Sequence, residues 1–213
     1  MSSDVLVTTP AQRQTEPHAE AVSRNRRQQA TFRKVLAAAM ATLREKSYAD
    51  LTVRLVAARA NVAPATAYTY FSSKNHLIAE VYLDLVRQVP CVTDVNVPMP
   101  IRVTSSLRHL ALVVADEPEI GAACTAALLD GGADPAVRAV RDRIGAEIHR
   151  RITSAIGPGA DPGTVFALEM AFFGALVQAG SGTFTYHEIA DRLGYVVGLI
   201  LAGANEPSTG GSE

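Results

Sequence analysis

The stretch Thr52–Phe71 constrains the fold more than any other part of the chain. The Thr52 hydroxyl can cap the first turn of a helix. Leu55, Val56 and Ala60 follow on one side of that helix. Asn61 stands where the helix must stop, and Asn tolerates the left-handed geometry of a helix end. Pro64 then fits the first turn of a next helix, where its missing N–H costs nothing. The pattern predicts two short helices around a tight corner. Val56, Ala57 and Ala60 can meet Val62, Ala67 and Phe71, and the small alanines let the helices approach closely. Pro64, Ala65, Thr66, Tyr68, Thr69 and Tyr70 are left at or near the outer face.

Helical periodicity continues on both sides. Phe32, Val35, Leu36, Ala39, Met40 and Leu43 recur at spacings of three and four, which predicts an amphipathic helix from about Arg24. Ser72 or Ser73 can cap a helix carrying Leu77, Val81, Leu85 and Val89. Residues 90–100 hold three prolines and read as a connection. Further helical patterns cover 101–115, 118–130, 135–156, 163–180 and 185–203. Two of them start at Gly-Ala-Asp-Pro, at 132–135 and 159–162, with Asp as cap and Pro at the first helical position. No strand-period segment of useful length occurs, and aromatics make up only 6% of the chain, so the expected fold is all-α. The segment 163–180 is apolar, but Glu169 and its glycines interrupt it, so it is not expected to span a bilayer. Residues 1–22 and 207–213 are expected to be flexible tails.

The net charge of −1 conceals a division. Residues 24–87 carry 11 Lys/Arg against 4 Asp/Glu, whereas residues 88–213 carry 8 against 14. A basic first third on an acidic remainder implies that only one end meets a polyanion. Cys91 and Cys124 are the only cysteines and have no zinc spacing, and the five histidines are scattered. No metal, cofactor or catalytic residue is assigned, and no nucleophile elbow or phosphate loop occurs, so an enzyme is not expected. The first twenty residues lack an apolar core for a signal peptide, which implies a cytoplasmic protein with no membrane partner.

Residues 26–80 resemble the tetracycline-repressor family. The resemblance rests on Lys34-Val-Leu-Ala-Ala-Ala39, Tyr48, Leu51-Thr52, Val56-Ala57, Ala60, Val62, Thr66, Tyr68-x-Tyr70-Phe71, Ser73-Lys74 and Leu77, all in register. It implies an N-terminal three-helix DNA-binding domain with a helix-turn-helix over 23–89, including a fourth, connecting helix. A helical ligand-binding and dimerisation domain over 90–206 would follow. It also implies roles. Thr52, Tyr68, Tyr70 and Lys74 would touch phosphates, and Pro64, Ala65, Thr66 and Thr69 would lie where the family reads bases. Arg54 is the candidate base contact, since Arg is the usual bidentate partner of guanine. Arg24, Arg26 and Arg27 suit an arm on the DNA backbone or in the minor groove. Ser47, Asn61 and Ala63 depart from the pattern, and Ala63 removes the usual hydroxyl cap of the second short helix.

In the remainder, the resemblance implies an enclosed small-molecule site. The residues proposed to line it are Leu110, Val114, Cys124, Leu128, His149, Phe166, Glu169, Met170 and Phe173. The last two helices carry more apolar residues than one core-facing stripe needs, which suggests an interface. Leu176, Val177, Leu193, Gly194, Val197, Gly198 and Leu201 are its candidates, with Gly194 and Gly198 as a small-xxx-small pair. The expected function is a homodimeric repressor that binds a near-palindromic double-stranded operator and is released by a small apolar ligand. The competing function is a helical small-molecule sequestering protein with impaired DNA binding.

Overall fold

The computed structural model describes residues 16–130 and 133–204, with side chains from Asn25 onward. Nine α-helices, and no strand, occur among the described residues. They are α1 (Glu16–Leu43), α2 (Val53–Arg59), α3 (Pro64–Tyr70), α4 (Lys74–Gln88), α5 (Met99–Ala111), α6 (Pro118–Asp130), α7 (Pro135–Ile156), α8 (Pro162–Gly180) and α9 (Tyr186–Ala204). The fold is all-α. Helix α1 begins at Glu16, inside the segment expected to be a tail. Its early turns, with Pro17 in the first, need no apolar stripe because Glu, Ala, Gln and Arg are good helix formers. Residues 1–15 and 207–213 of the expected tails lie outside the described residues. Helix α5 ends earlier than its periodicity suggests, and Leu112–Val114 tighten into a 3₁₀ turn.

The local punctuation acts as its chemistry requires. The Thr52 side chain accepts from the Leu55 N–H, and Asn61 adopts φ +50 directly after α2. Ser73 caps α4 by accepting from the His76 N–H. Asp134 and Asp161 cap α7 and α8 from the N–H groups of Ala136 and Thr164, each followed by Pro. Ala63 makes no side-chain cap to α3.

Helix α4 carries most of the architecture. It packs on α1 on one side and on α6 and α7 on the other. Leu77, Ile78, Ala79, Glu80, Val81, Tyr82, Leu83 and Val86 are all buried, so its apolar surface wraps nearly the whole circumference. It lies parallel to α7, and three polar ties fix their register. Ser73 Oγ donates to the Asp134 carboxylate at 2.9 Å at the start of both helices. In the middle, Arg143 donates to the buried Glu80 carboxylate, which also sits 3.5 Å from His76 Nε2. At the far end the buried Arg151 donates to the Val89 carbonyl, to the Arg87 carbonyl at 3.3 Å and to Glu147 at 3.0 Å. Arg151 thereby satisfies carbonyls that the end of α4 leaves open.

Helix α8 differs from its sequence expectation. By length and composition it is apolar enough to cross a membrane, yet it packs against α6, α7 and α9. Phe172 and Leu168 are fully buried there, while Phe166 and Met170 face outward.

Burial alone would raise the Glu80 carboxyl, but its bonds to His76 and Arg143 outweigh that and hold it below its ordinary value of 4.5. A depressed carboxyl stabilises the fold above its unfolded pKa, and that stabilisation disappears as pH falls through the folded value. Glu80→Gln should therefore cost about 1.5–3 kcal/mol at pH 7. The difference in urea midpoint from the wild type should close as pH drops below the ordinary carboxylate value.

Candidate nucleic-acid interface

Helix α3 is a thin element with one buried side. Ala67 is fully buried, and Phe71 just beyond the helix is too. Phe71 stacks on Phe32 of α1 with ring centroids 5.0 Å apart, and Tyr70 meets the same ring edge-on at 6.1 Å. Pro64, Ala65, Thr66, Tyr68 and Thr69 are exposed, with Tyr68 at 52% of its surface. Tyr70 is half-buried, because its ring completes this aromatic cluster. Thr69 Oγ1 donates to the Thr66 carbonyl at 2.6 Å, so one hydroxyl of the outer face is used within the helix. Thr52 is exposed, with its oxygen on the Leu55 N–H.

The cations divide into two sets. Arg44 pairs with Glu117 and Arg59 with Glu45. Arg26, Arg27, Arg33, Lys34, Lys46 and Arg54 are exposed and have no ion pair among the described residues. The arm candidates Arg26 and Arg27 thus lie on α1 itself. Arg24 is helical, and its side chain is outside the described residues. Lys74 is more constrained than the sequence suggests. Its Nζ donates to the Tyr48 carbonyl at 3.1 Å and the Ala49 carbonyl at 3.4 Å, and lies 4.5 Å from the centre of the Tyr48 ring.

A cavity of about 310 Å³ lies behind this region, walled by α4, α6, α7, α8 and the start of α9. Cys124, Leu128 and Phe173 line it as expected from sequence. Leu110 and Val114 are buried but do not line it. Phe166 and Met170 are 62% and 52% exposed on the outer face of α8, because an almost uniformly apolar helix gives no sequence cue to which side turns inward. His149 and Glu169 pair at 2.8 Å in a shallow outer cleft that shares Arg141 and Phe173 with the cavity. Tyr82, Gly121, Thr125, Leu129, Arg141 and Tyr186 were missed as lining, since they come from helices far apart in sequence. One signal was available at Gly121. A Cβ there would collide with Tyr186 Oη, so the glycine marks a close approach at the cavity wall. Burial raises the Cys124 thiol to about 12 and raises the Tyr82 hydroxyl, so both stay neutral. The buried Tyr82 Oη has no hydrogen-bond partner among the described residues.

Residues 35–81, which span the end of α1 through α3 and half of α4, match the family of bacterial regulatory proteins, tetR family. Residues 35–81 thus form a tetR-family domain. The solved structures similar to the chain share the fold. A TetR transcriptional regulator from Rhodococcus sp. RHA1 is 21% identical, with a TM-score of 0.69 over 84% of this chain and 98% of that one. FadR of Thermus thermophilus, a TetR-family repressor in complex with lauroyl-CoA, is 17% identical, with a TM-score of 0.61 over 85% and 99%. FadR of Bacillus subtilis in complex with stearoyl-CoA is 14% identical, with a TM-score of 0.54 over 81% and 98%.

The interface candidates on the last two helices fall into different environments. Leu193, Val197 and Leu201 are buried within the single chain, where α9 packs on α5. Gly194 belongs to that internal contact, since a Cβ there would lie 3.3 Å from Thr104. Leu176 and Val177 line the cavity. Gly198 alone of the pair faces open space, with nothing within 4 Å of a Cβ built on it. It neighbours Tyr195 and Leu199, which are 72% and 56% exposed.

The geometry of Lys74 yields a direct expectation. Lys74→Met removes two charge-assisted bonds to loop carbonyls and should cost about 1–2 kcal/mol of stability with no DNA present. Urea unfolding checks this. An unchanged midpoint would mean that Lys74 plays no part in holding the loop before α2.

Proposed function

We propose that the protein is a repressor that binds a near-palindromic operator as a homodimer and leaves it when a small apolar ligand fills the cavity. The observation that carries this reading is α3. Five of its seven residues are exposed, on the basic third of the chain, while Ala67 and Phe71 anchor it. Such a helix suits the major groove. Arg54 reads a base edge, and Pro64, Ala65, Thr66 and Thr69 offer methyl groups and a few hydrogen bonds. Thr52, Tyr68, Tyr70 and Lys74 contact phosphates, with Lys74 shared between that role and its loop carbonyls. Arg24, Arg26 and Arg27 extend the contact along the DNA. Residues 23–89 form the DNA-binding unit and 90–206 the ligand and dimer unit, and the operator places the protein in the cytoplasm.

The outward sides of α8 and α9 supply the dimer surface. Phe166, Met170, Tyr195 and Leu199 are large apolar groups left exposed on neighbouring helices, a patch of the kind that marks an interaction site. A second copy covers it with the same patch about a two-fold axis. An apolar effector agrees with the lining of the cavity and with the two similar structures that hold acyl-CoA.

Selection from random DNA should return two half-sites about 34–36 Å apart or a multiple of that. Arg54→Ala should cost about 1–3 kcal/mol on that operator and relax preference at one base pair per half-site. Equal loss on every sequence would make Arg54 a phosphate contact instead.

Gly198→Leu tests the assembly. A Cβ at this position meets nothing within 4 Å in its own subunit, and the position is exposed, so the fold has room for the new side chain. In a close dimer contact it should cost about 1–3 kcal/mol. Sedimentation should shift toward monomer and operator binding should fall in parallel, while helicity by circular dichroism stays. A full-affinity dimer would place the interface elsewhere.

A further inference from the structure

The cavity walls carry one charge, and its position is specific. Arg141 on α7 lines both the cavity and the outer cleft, so the residue stands between the two. Three of the carboxylates nearby are already engaged. Glu80 is held by Arg143, Glu169 by His149, and Glu147 by Arg150 and Arg151. Arg141 has no ion pair among the described residues. No carboxylate lines the cavity, so a cation inside it would have no counter-charge. The other polar groups of the wall are the hydroxyls of Tyr82, Thr125 and Tyr186 and the thiol of Cys124, all uncharged. Leu128, Ile144, Phe173 and Leu176 supply the apolar remainder.

Size narrows the choice further. A volume of about 310 Å³ is small among ligand pockets. A pocket at this end of the range suits a small ligand of about ten non-hydrogen atoms. The cleft outside the mouth carries Asp142 and Glu169 and no Lys or Arg besides Arg141. A polyphosphate head lying there would face two carboxylates.

We propose that the cavity takes an apolar monocarboxylate of about ten non-hydrogen atoms, with its chain between Leu128, Ile144, Phe173 and Leu176 and its carboxylate on Arg141. Arg141 is thus the residue that selects an acid over a neutral molecule or a cation, because its planar guanidinium can hold a carboxylate through two parallel bonds. This rests on the cavity being the effector site of the regulator, and it excludes an intact acyl-CoA as the best ligand.

The test is calorimetric titration of the full chain without DNA, using four probes: octanoate, 2-nonanone, nonylammonium and octanoyl-CoA. Octanoate should bind, 2-nonanone should bind more weakly, nonylammonium should not bind, and octanoyl-CoA should bind no more tightly than octanoate. Arg141→Gln should lose about tenfold or more of the octanoate affinity and keep that for 2-nonanone, which also shows that the cavity is intact. The proposal is overturned if octanoate does not bind, if Arg141→Gln binds it as tightly as the wild type, or if the amine or the thioester binds more tightly than octanoate. Operator binding is measured separately by gel shift. A chain that binds octanoate but no DNA would sink the repressor reading alone.

Discussion

The structure depends on the parallel pairing of α4 with α7. Parallel neighbours gain nothing from opposed helix dipoles, so the pair is held by apolar burial and by ties along its length. Those ties sit at Ser73–Asp134, Glu80–Arg143 and Arg151 with the Arg87 and Val89 carbonyls. Each comes from a different turn, which makes a slip of one helix along the other break all of them at once. Apolar side chains of α4 supply most of the stabilisation, and the polar ties select the register. Removing one partner of a buried polar tie costs more than the tie contributes on its own, because the remaining group is left without water.

That arrangement explains why much of the fold was legible and why the rest was not. Thr52, Asn61, Pro64, Ser73 and the two Asp-Pro pairs act through atoms within a few residues of themselves. A linear reading of caps and stops therefore finds the helices they delimit. The corner between α2 and α3 is legible for the same reason, and so is the outward side of α3 once Ala67 and Phe71 are placed inside. α4 was read as a helix with one stripe, Leu77, Val81, Leu85 and Val89. It buries Ile78, Glu80, Tyr82 and Leu83 as well, because it is enclosed from several sides. Glu80 looks like a solvent-facing residue in sequence. Arg143 from a distant helix and His76 one turn earlier together make its burial tolerable.

The same limit governs the last two helices. An amphipathic helix reports its inward side through the polar residues on the other one. Helix α8 has almost none, so Phe166 and Phe172 are equivalent in sequence although one is exposed and the other buried. On α9, the stripe Leu193, Val197 and Leu201 was read as facing a partner, whereas it is buried within the single chain, where α5 and α8 pack on α9. What remains outward, Tyr195 and Leu199, is the less continuous side. Counting apolar residues signalled a surplus correctly but could not assign it to a side.

The cavity stands where these two halves of the molecule meet. Its wall includes Tyr82 of α4 and Arg141 and Ile144 of α7, the two helices whose register the polar ties hold. The start of α4 follows α3 after only three residues, and Lys74 binds it to the loop that precedes α2. A shift of α4 therefore cannot be absorbed before it reaches α3. Tightly packed cores move between discrete arrangements and do not deform smoothly. A ligand shifts such an equilibrium only by its differential contacts with the two arrangements. Tyr82 belongs both to the cavity wall and to α4, so a ligand in the cavity would touch that helix through it.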